Sequence, residues 1–98
     1  MDNDDYLLDE DAKEFYTAIQ SLETDEDCKS FLRDLLTEAE LKECIQRWKV
    51  VRMLDQKVSY EEITHTTGMS STTIARISKW LQKGKGGYRL ILDRIKKN

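Results

Sequence analysis

Apolar side chains recur along this chain at steps of three and four, the spacing of helices that bury one face. Leu8, Ala12, Phe15, Tyr16, Ile19 and Leu22 form the first stripe and predict a helix over 8–22, behind a frayed segment 1–7. Thr24 followed by Asp27 is a variant capping box, with the threonine oxygen placed to accept from an orphan N–H of the first turn; Cys28, Phe31, Leu32 and Leu35 continue the stripe of a short second helix. Thr37 with Glu40 is a standard capping box that opens a third helix over 38–56, with Leu41, Cys44, Ile45, Trp48 and Val51 on one face. Val50, Met53 and Leu54 add apolar groups on the other sides. The C-terminal part of this helix is therefore expected at the centre of the core, with some of its cover coming from a second subunit.

Ser59 with Glu62 starts a fourth helix of about two turns that should stop before Gly68, a residue free to take the left-handed conformation that ends helices. Ser70 or Ser71 then caps a fifth helix running through Thr73, Ile74, Ile77 and Leu81 to Gln82. Lys83-Gly84-Lys85-Gly86-Gly87 reads as a basic hinge: it follows a helix, and it lacks the strand and the spacing of a phosphate-cradling loop. A last helix over 88–96 carries Leu90, Ile91, Leu92 and Ile95. No stretch alternates apolar and polar residues between Asn-Gly or Asp-Gly turns. With no proline, four glycines and 36% charged residues, the expected class is all-α.

Length and charge add two constraints. Ninety-eight residues fit one domain, and so short a chain buries only somewhat more than about 60% of its unfolded surface, which favours association. The net charge of −3 hides a division: residues 1–43 hold 15 acidic and 4 basic side chains, net −11, and residues 44–98 hold 4 and 12, net +8. Opposite signs in the two halves suggest that one half faces a polyanion while the other repels it or serves assembly.

Several chemistries lack their residues. No run reaches the roughly 18 apolar residues of a membrane span, and an acidic N-terminus is unlike a signal peptide, so a cytoplasmic protein is expected. Cys28 and Cys44, without a CxxC pair and with His65 as the only histidine, indicate neither a disulfide framework nor a metal site. Both fall on apolar faces and read as small core fillers, and Trp48 and Trp80 are likewise expected in core packing. His65, among threonines, receives no role. No nucleophile, base pair or cofactor motif suggests an enzyme or a cofactor.

The fourth and fifth helices have the apolar positions of a helix-turn-helix: Ile63 and Met69 point inwards, and Ile74 and Ile77 pack back against them. Thr64 stands at the closest approach of the two helices, where a smaller residue is usual. The fifth helix then turns Ser71, Thr72, Ala75, Arg76 and Lys79 outwards. Small polar groups near its N-terminus suit close approach to base edges, and the basic groups can reach guanine or the backbone. Ser70, Ser71, Thr72, Ala75, Arg76, Lys79 and Lys83 are the candidate DNA-binding residues, with Lys49, Lys57 and Lys85 as further phosphate contacts. The competing reading is a helical protein-interaction module that engages a basic partner through the acidic half, with the helix-turn-helix kept as scaffold.

Leu35-Leu36-Thr37, Arg47 with Val50-Val51, Ser59 to Gly68, and Thr73-Ile74-Ala75-Arg76 resemble the tryptophan repressor in order and spacing, apart from one residue missing in the 52–58 stretch. Within that superfamily the chain is most similar to the YerC/YecD group of TrpR-like proteins, over about residues 8–95. The resemblance implies a bacterial transcription regulator, a repressor that occludes a promoter, built as an intertwined six-helix homodimer. It divides the chain into dimerisation helices over 8–56, a helix-turn-helix over 59–82 and the C-terminal helix. It also implies a tryptophan pocket at Thr37, Arg47, Thr73 and Arg76, the two arginines flanking the indole. Ile77, however, stands where the family has a glycine that leaves room for the ring, and Trp80 stands where it has a serine. A branched side chain in the ligand's volume predicts that free tryptophan is not the corepressor. The base-facing positions Ser71, Thr72 and Ala75 differ from the family in chemistry, so the operator should differ, and Glu61 replaces a basic residue of the first motif helix.

Overall fold

The computed structural model describes residues 4–97. Among them are six α-helices, one 3-10 turn and no strand, the expected all-α class. They group into two compact units that divide after Glu38.

In the first unit a 3-10 turn, Asp5–Leu8, precedes α1 (Glu10–Gln20) and α2 (Asp25–Leu35). The turn occupies part of the segment expected to fray; residues 1–3 of that segment lie outside the described residues. Asp9, unnoticed in the sequence, caps α1 by accepting from the Ala12 N–H at 2.8 Å, an interaction worth about 1 kcal/mol. The Tyr16 hydroxyl donates to the Leu7 carbonyl at 2.9 Å and ties the turn to α1. At the head of α2 the Asp27 N–H donates to Thr24 Oγ1 at 3.0 Å, and the Asp27 carboxylate reaches one residue past the cap to accept from the Glu23 N–H at 3.2 Å. None of the described residues up to Glu38 is buried, and Phe15, Tyr16 and Ile19 of the α1 stripe remain exposed.

The second unit contains α3 (Glu38–Asp55) from Ala39 onwards, α4 (Tyr60–Thr67), α5 (Ser71–Lys83) and α6 (Gly87–Lys96). Its core is Val50 and Val51 of α3, Ile63 of α4, Ile74, Ile77 and Leu81 of α5, and Leu92 of α6. Trp48, Met53, Leu54, Val58, Met69 and Tyr88 pack around that core, and the Trp48 and Tyr88 ring centroids lie 6.3 Å apart. The C-terminal part of α3 is thus central, as its all-round apolar pattern requires. Its N-terminal part is not: Ile45 is 59% exposed and Cys44 is exposed.

Three expectations about packing need correction. Cys44 is exposed and Cys28 only half-buried, so neither is a core filler. Trp80 is 41% exposed, because the buried stripe of α5 runs through Ile74, Ile77, Ser78 and Leu81 and leaves position 80 on its flank.

Helix α3 ends with the Val58 N–H donating to the Met53 carbonyl at 3.0 Å around Lys57, whose φ of 67° is left-handed. This is a Schellman ending, with a lysine where glycine is commonest. Asp55, whose side chain is 11% exposed, accepts from Arg89 at 3.0 Å and Lys96 at 2.7 Å, which fastens both ends of α6 to α3. The Lys96 hydrogen bond first, and then that of Arg89, hold the Asp55 carboxyl below its ordinary value against the opposing effect of burial.

Candidate nucleic-acid interface

Helices α4 and α5 meet across Gly68, Met69 and Ser70. Gly68 has φ 76°, and its N–H donates to the Thr64 carbonyl at 2.8 Å, closing α4 at the residue the sequence marked. Ser70 caps α5, accepting from the Thr73 N–H at 3.2 Å and donating to Thr73 Oγ1 at 3.0 Å. Its hydroxyl is therefore engaged within the cap. Thr67, which the sequence did not single out, holds the turn: its hydroxyl donates to the Ile63 carbonyl at 2.7 Å and accepts from the Met69 N–H at 3.1 Å. Gln46 of α3 donates to the Thr67 carbonyl at 3.1 Å. No local signal marks this bond, because its partners stand 21 residues apart.

Beneath the turn, Ile63, Ile74 and Ile77 are fully buried and Met69 packs on them. Thr64 is half-buried at the helix pair and does not prevent that packing. On the other side of α5, Ser71, Thr72, Ala75, Arg76, Lys79 and Lys83 are all exposed, as is Ser70 before them. The helix holds three basic residues and no acidic one, so its outward face is cationic. Glu61 and Glu62 are exposed on the first turn of α4, where they complement the helix dipole. Lys57 is exposed and Lys49 half-buried.

Within the second unit, some of the residues set apart as a pocket come together. The Arg47 guanidinium lies 5.9 Å from the centroid of the Trp80 ring, a cation–π contact between α3 and α5. The same guanidinium reaches Glu43 at 3.1 Å. Thr73 is half-buried and Arg76 exposed, Ile77 faces the core, and Thr37 belongs to the first unit. Among the described residues no group of histidine, cysteine or carboxylate side chains is arranged to hold a metal ion, and no helix is long and apolar enough to cross a membrane.

The family model for Trp repressor protein matches residues 10–96 of this chain. The chain belongs to the Trp repressor family. It is similar to the uncharacterized protein YerC of Bacillus subtilis, 36% identical over 92 residues that span 94% of this chain and 88% of the relative. Its fold is similar to that of a TrpR-like protein from Eubacterium eligens, with a TM-score of 0.88 at 29% identity over 94% of this chain and 95% of that one. It is also similar to a putative Trp repressor from Staphylococcus aureus, with a TM-score of 0.85 at 35% identity over 97% and 96% of the two chains. The Trp repressor family is one of DNA-binding regulators and not of enzymes. The resemblance carried by the motif residues is therefore correct at the level of family and fold.

Proposed function

We propose that this chain is a sequence-specific, double-stranded-DNA-binding transcriptional repressor that works in the cytoplasm as a homodimer and presents α5 to the major groove. The observation that carries the reading is the two-sidedness of α5, which buries Ile74, Ile77, Ser78 and Leu81 and exposes Ser71, Thr72, Ala75, Arg76 and Lys79. The whole chain acts as one domain: 59–82 is the helix-turn-helix, and 8–56 supplies dimerisation. In support of the dimer, α1 and α2 have apolar stripes yet bury no residue, and Ile45 of α3 is uncovered. Helices of that length do not persist on propensity alone and need an apolar face covered. Two-fold symmetry sets the two reading helices ~34 Å apart, one turn of the duplex.

Tryptophan is not the corepressor in this reading. Ile77 fills core volume, and the Trp80 indole already lies beside Arg47, one of the two arginines expected at a ligand's indole. Isothermal calorimetry should show no stoichiometric tryptophan binding.

DNA retention tests the reading directly. Arg76, Lys79 and Lys83 from two subunits offer six phosphate contacts, which predict a loss of about 10³ in affinity between ~50 and ~200 mM salt. Lys79→Ala should lower the salt slope by about one per contact removed. No retention of duplex DNA at low salt would instead favour a protein-interaction module working through the acidic half.

A further inference from the structure

We infer that the reading face of α5 selects thymine through its C5 methyl group, with Ala75 and the methyl of Thr72 as the contacting groups; the inference rests on the DNA-binding reading above. From Ser71 to Lys79 this helix contains no asparagine, glutamine, aspartate, glutamate or histidine. The side chains that pair with adenine through two hydrogen bonds, or accept from the cytosine amino group, are therefore missing from the part of the helix that would enter a groove. What the exposed face offers is two hydroxyls at Ser71 and Thr72, two small apolar groups at Thr72 and Ala75, and the longer Arg76 and Lys79.

Hydroxyls donate and accept, and so discriminate weakly among bases. Ser70 offers not even that, because its hydroxyl is held in the cap with Thr73. The thymine methyl is the one apolar group on the floor of the major groove, and a methyl surface is the feature it can match. Positions 72 and 75 are three residues apart on one exposed helix face, where side chains are neighbours. No side chain at 71, 72 or 75 extends beyond the γ position, so the backbone of α5 can come close enough for methyl contact. Arg76, one residue further on and longer, is placed for a guanine or a phosphate. The fixed turn beneath the helix, braced by Thr67 and by Gln46 of α3, keeps this short reach in register.

The test begins by selecting bound duplexes from a randomised pool with the full chain. Each thymine of the selected site is then replaced, one at a time, by deoxyuridine, which lacks only the C5 methyl. Binding is followed by fluorescence anisotropy at fixed salt. Affinity should fall about four-fold at one or two thymines per half-site, the change expected for exposing one methyl-sized apolar group. Thr72→Ser and Ala75→Gly, each checked for helical content, should bind the thymine duplex more weakly and lose the discrimination against uracil at one position each. Equal affinity for thymine and uracil at every position overturns methyl selection while leaving DNA binding intact. Discrimination that survives in both variants overturns its assignment to these residues. A pool that yields no selective binding even at low salt overturns the repressor reading and this one together.

Discussion

Replacing Ile77 with glycine would give the chain the residue that the resemblance to the tryptophan repressor implies for a tryptophan pocket, so this substitution asks whether such a pocket is merely plugged. Ile77 is fully buried in the same core as Ile63 and Ile74. Truncating a buried isoleucine to alanine costs about 2–5 kcal/mol, and the further step to glycine inside a helix costs about 1 kcal/mol. The expected total of ~3–6 kcal/mol is a large share of the ~5–15 kcal/mol that holds a domain together. At roughly 4 °C or more per kcal/mol for a domain of this size, Tm should fall by at least about 12 °C. Thermal circular dichroism at matched protein concentration measures it, with Ile77→Val as a control expected to lose only about 0.5–1.5 kcal/mol. Calorimetry should show no tryptophan binding gained, because Ile77 belongs to a buried cluster of valines, isoleucines and leucines that would close on the vacated volume. A Tm loss of a few degrees, or micromolar tryptophan binding by either protein, would refute the view that Ile77 is core before it is anything else.

Gly84→Ala should destabilise by ~1–2 kcal/mol, since an added Cβ would lie 2.4 Å from the Trp80 carbonyl oxygen that receives the closing hydrogen bond of α5; urea titration reads the loss. Gly68→Ala, at φ 76° with open space around the site, should cost about 1 kcal/mol from backbone strain alone, and it should lower DNA affinity only in proportion to the folded fraction. Asp55→Asn should cost ~1–2 kcal/mol, discounted because Arg89 and Lys96 are about half exposed. The folded carboxyl titrates below its unfolded value, so its contribution stands in full above about pH 4. It drains away as pH falls through the lowered value, and stability curves of wild type and Asp55→Asn should converge in acid. Ile45→Glu should be neutral if the chain works alone, because that side chain is 59% exposed; between subunits it should shift the protein to monomer in sedimentation velocity.

Most of the helical architecture was legible because its signals are local. Ser59, Gly68 and Ser70 end or begin helices where their chemistry says they should, and the inward set Ile63, Met69, Ile74 and Ile77 follows from helical periodicity alone. What escaped was long in sequence or belonged to a face without a partner. The bonds from Gln46 to Thr67, and from Asp55 to Arg89 and Lys96, join residues that no periodicity relates. The Lys57 turn places a lysine where the sequence rule looks for glycine.

The core-filling expectation for the two cysteines failed for a different reason, and that reason bears on function. Periodicity identifies an apolar face but not what covers it. Cys44 and Ile45 lie on the uncovered half of α3, and Phe15, Tyr16 and Ile19 on a helix that buries nothing. A core-filling expectation at such positions is sound about the face and mistaken about the cover, if the cover belongs to a second copy. These apolar faces differ from the outward face of α5, which is polar and basic and gains nothing from burial in protein. One chain thus has surfaces of two kinds left open, apolar ones that water penalises and a cationic one that water tolerates. In the proposed dimer the first kind would be satisfied by pairing of like chains, and the second would remain available to a polyanion after that pairing is complete.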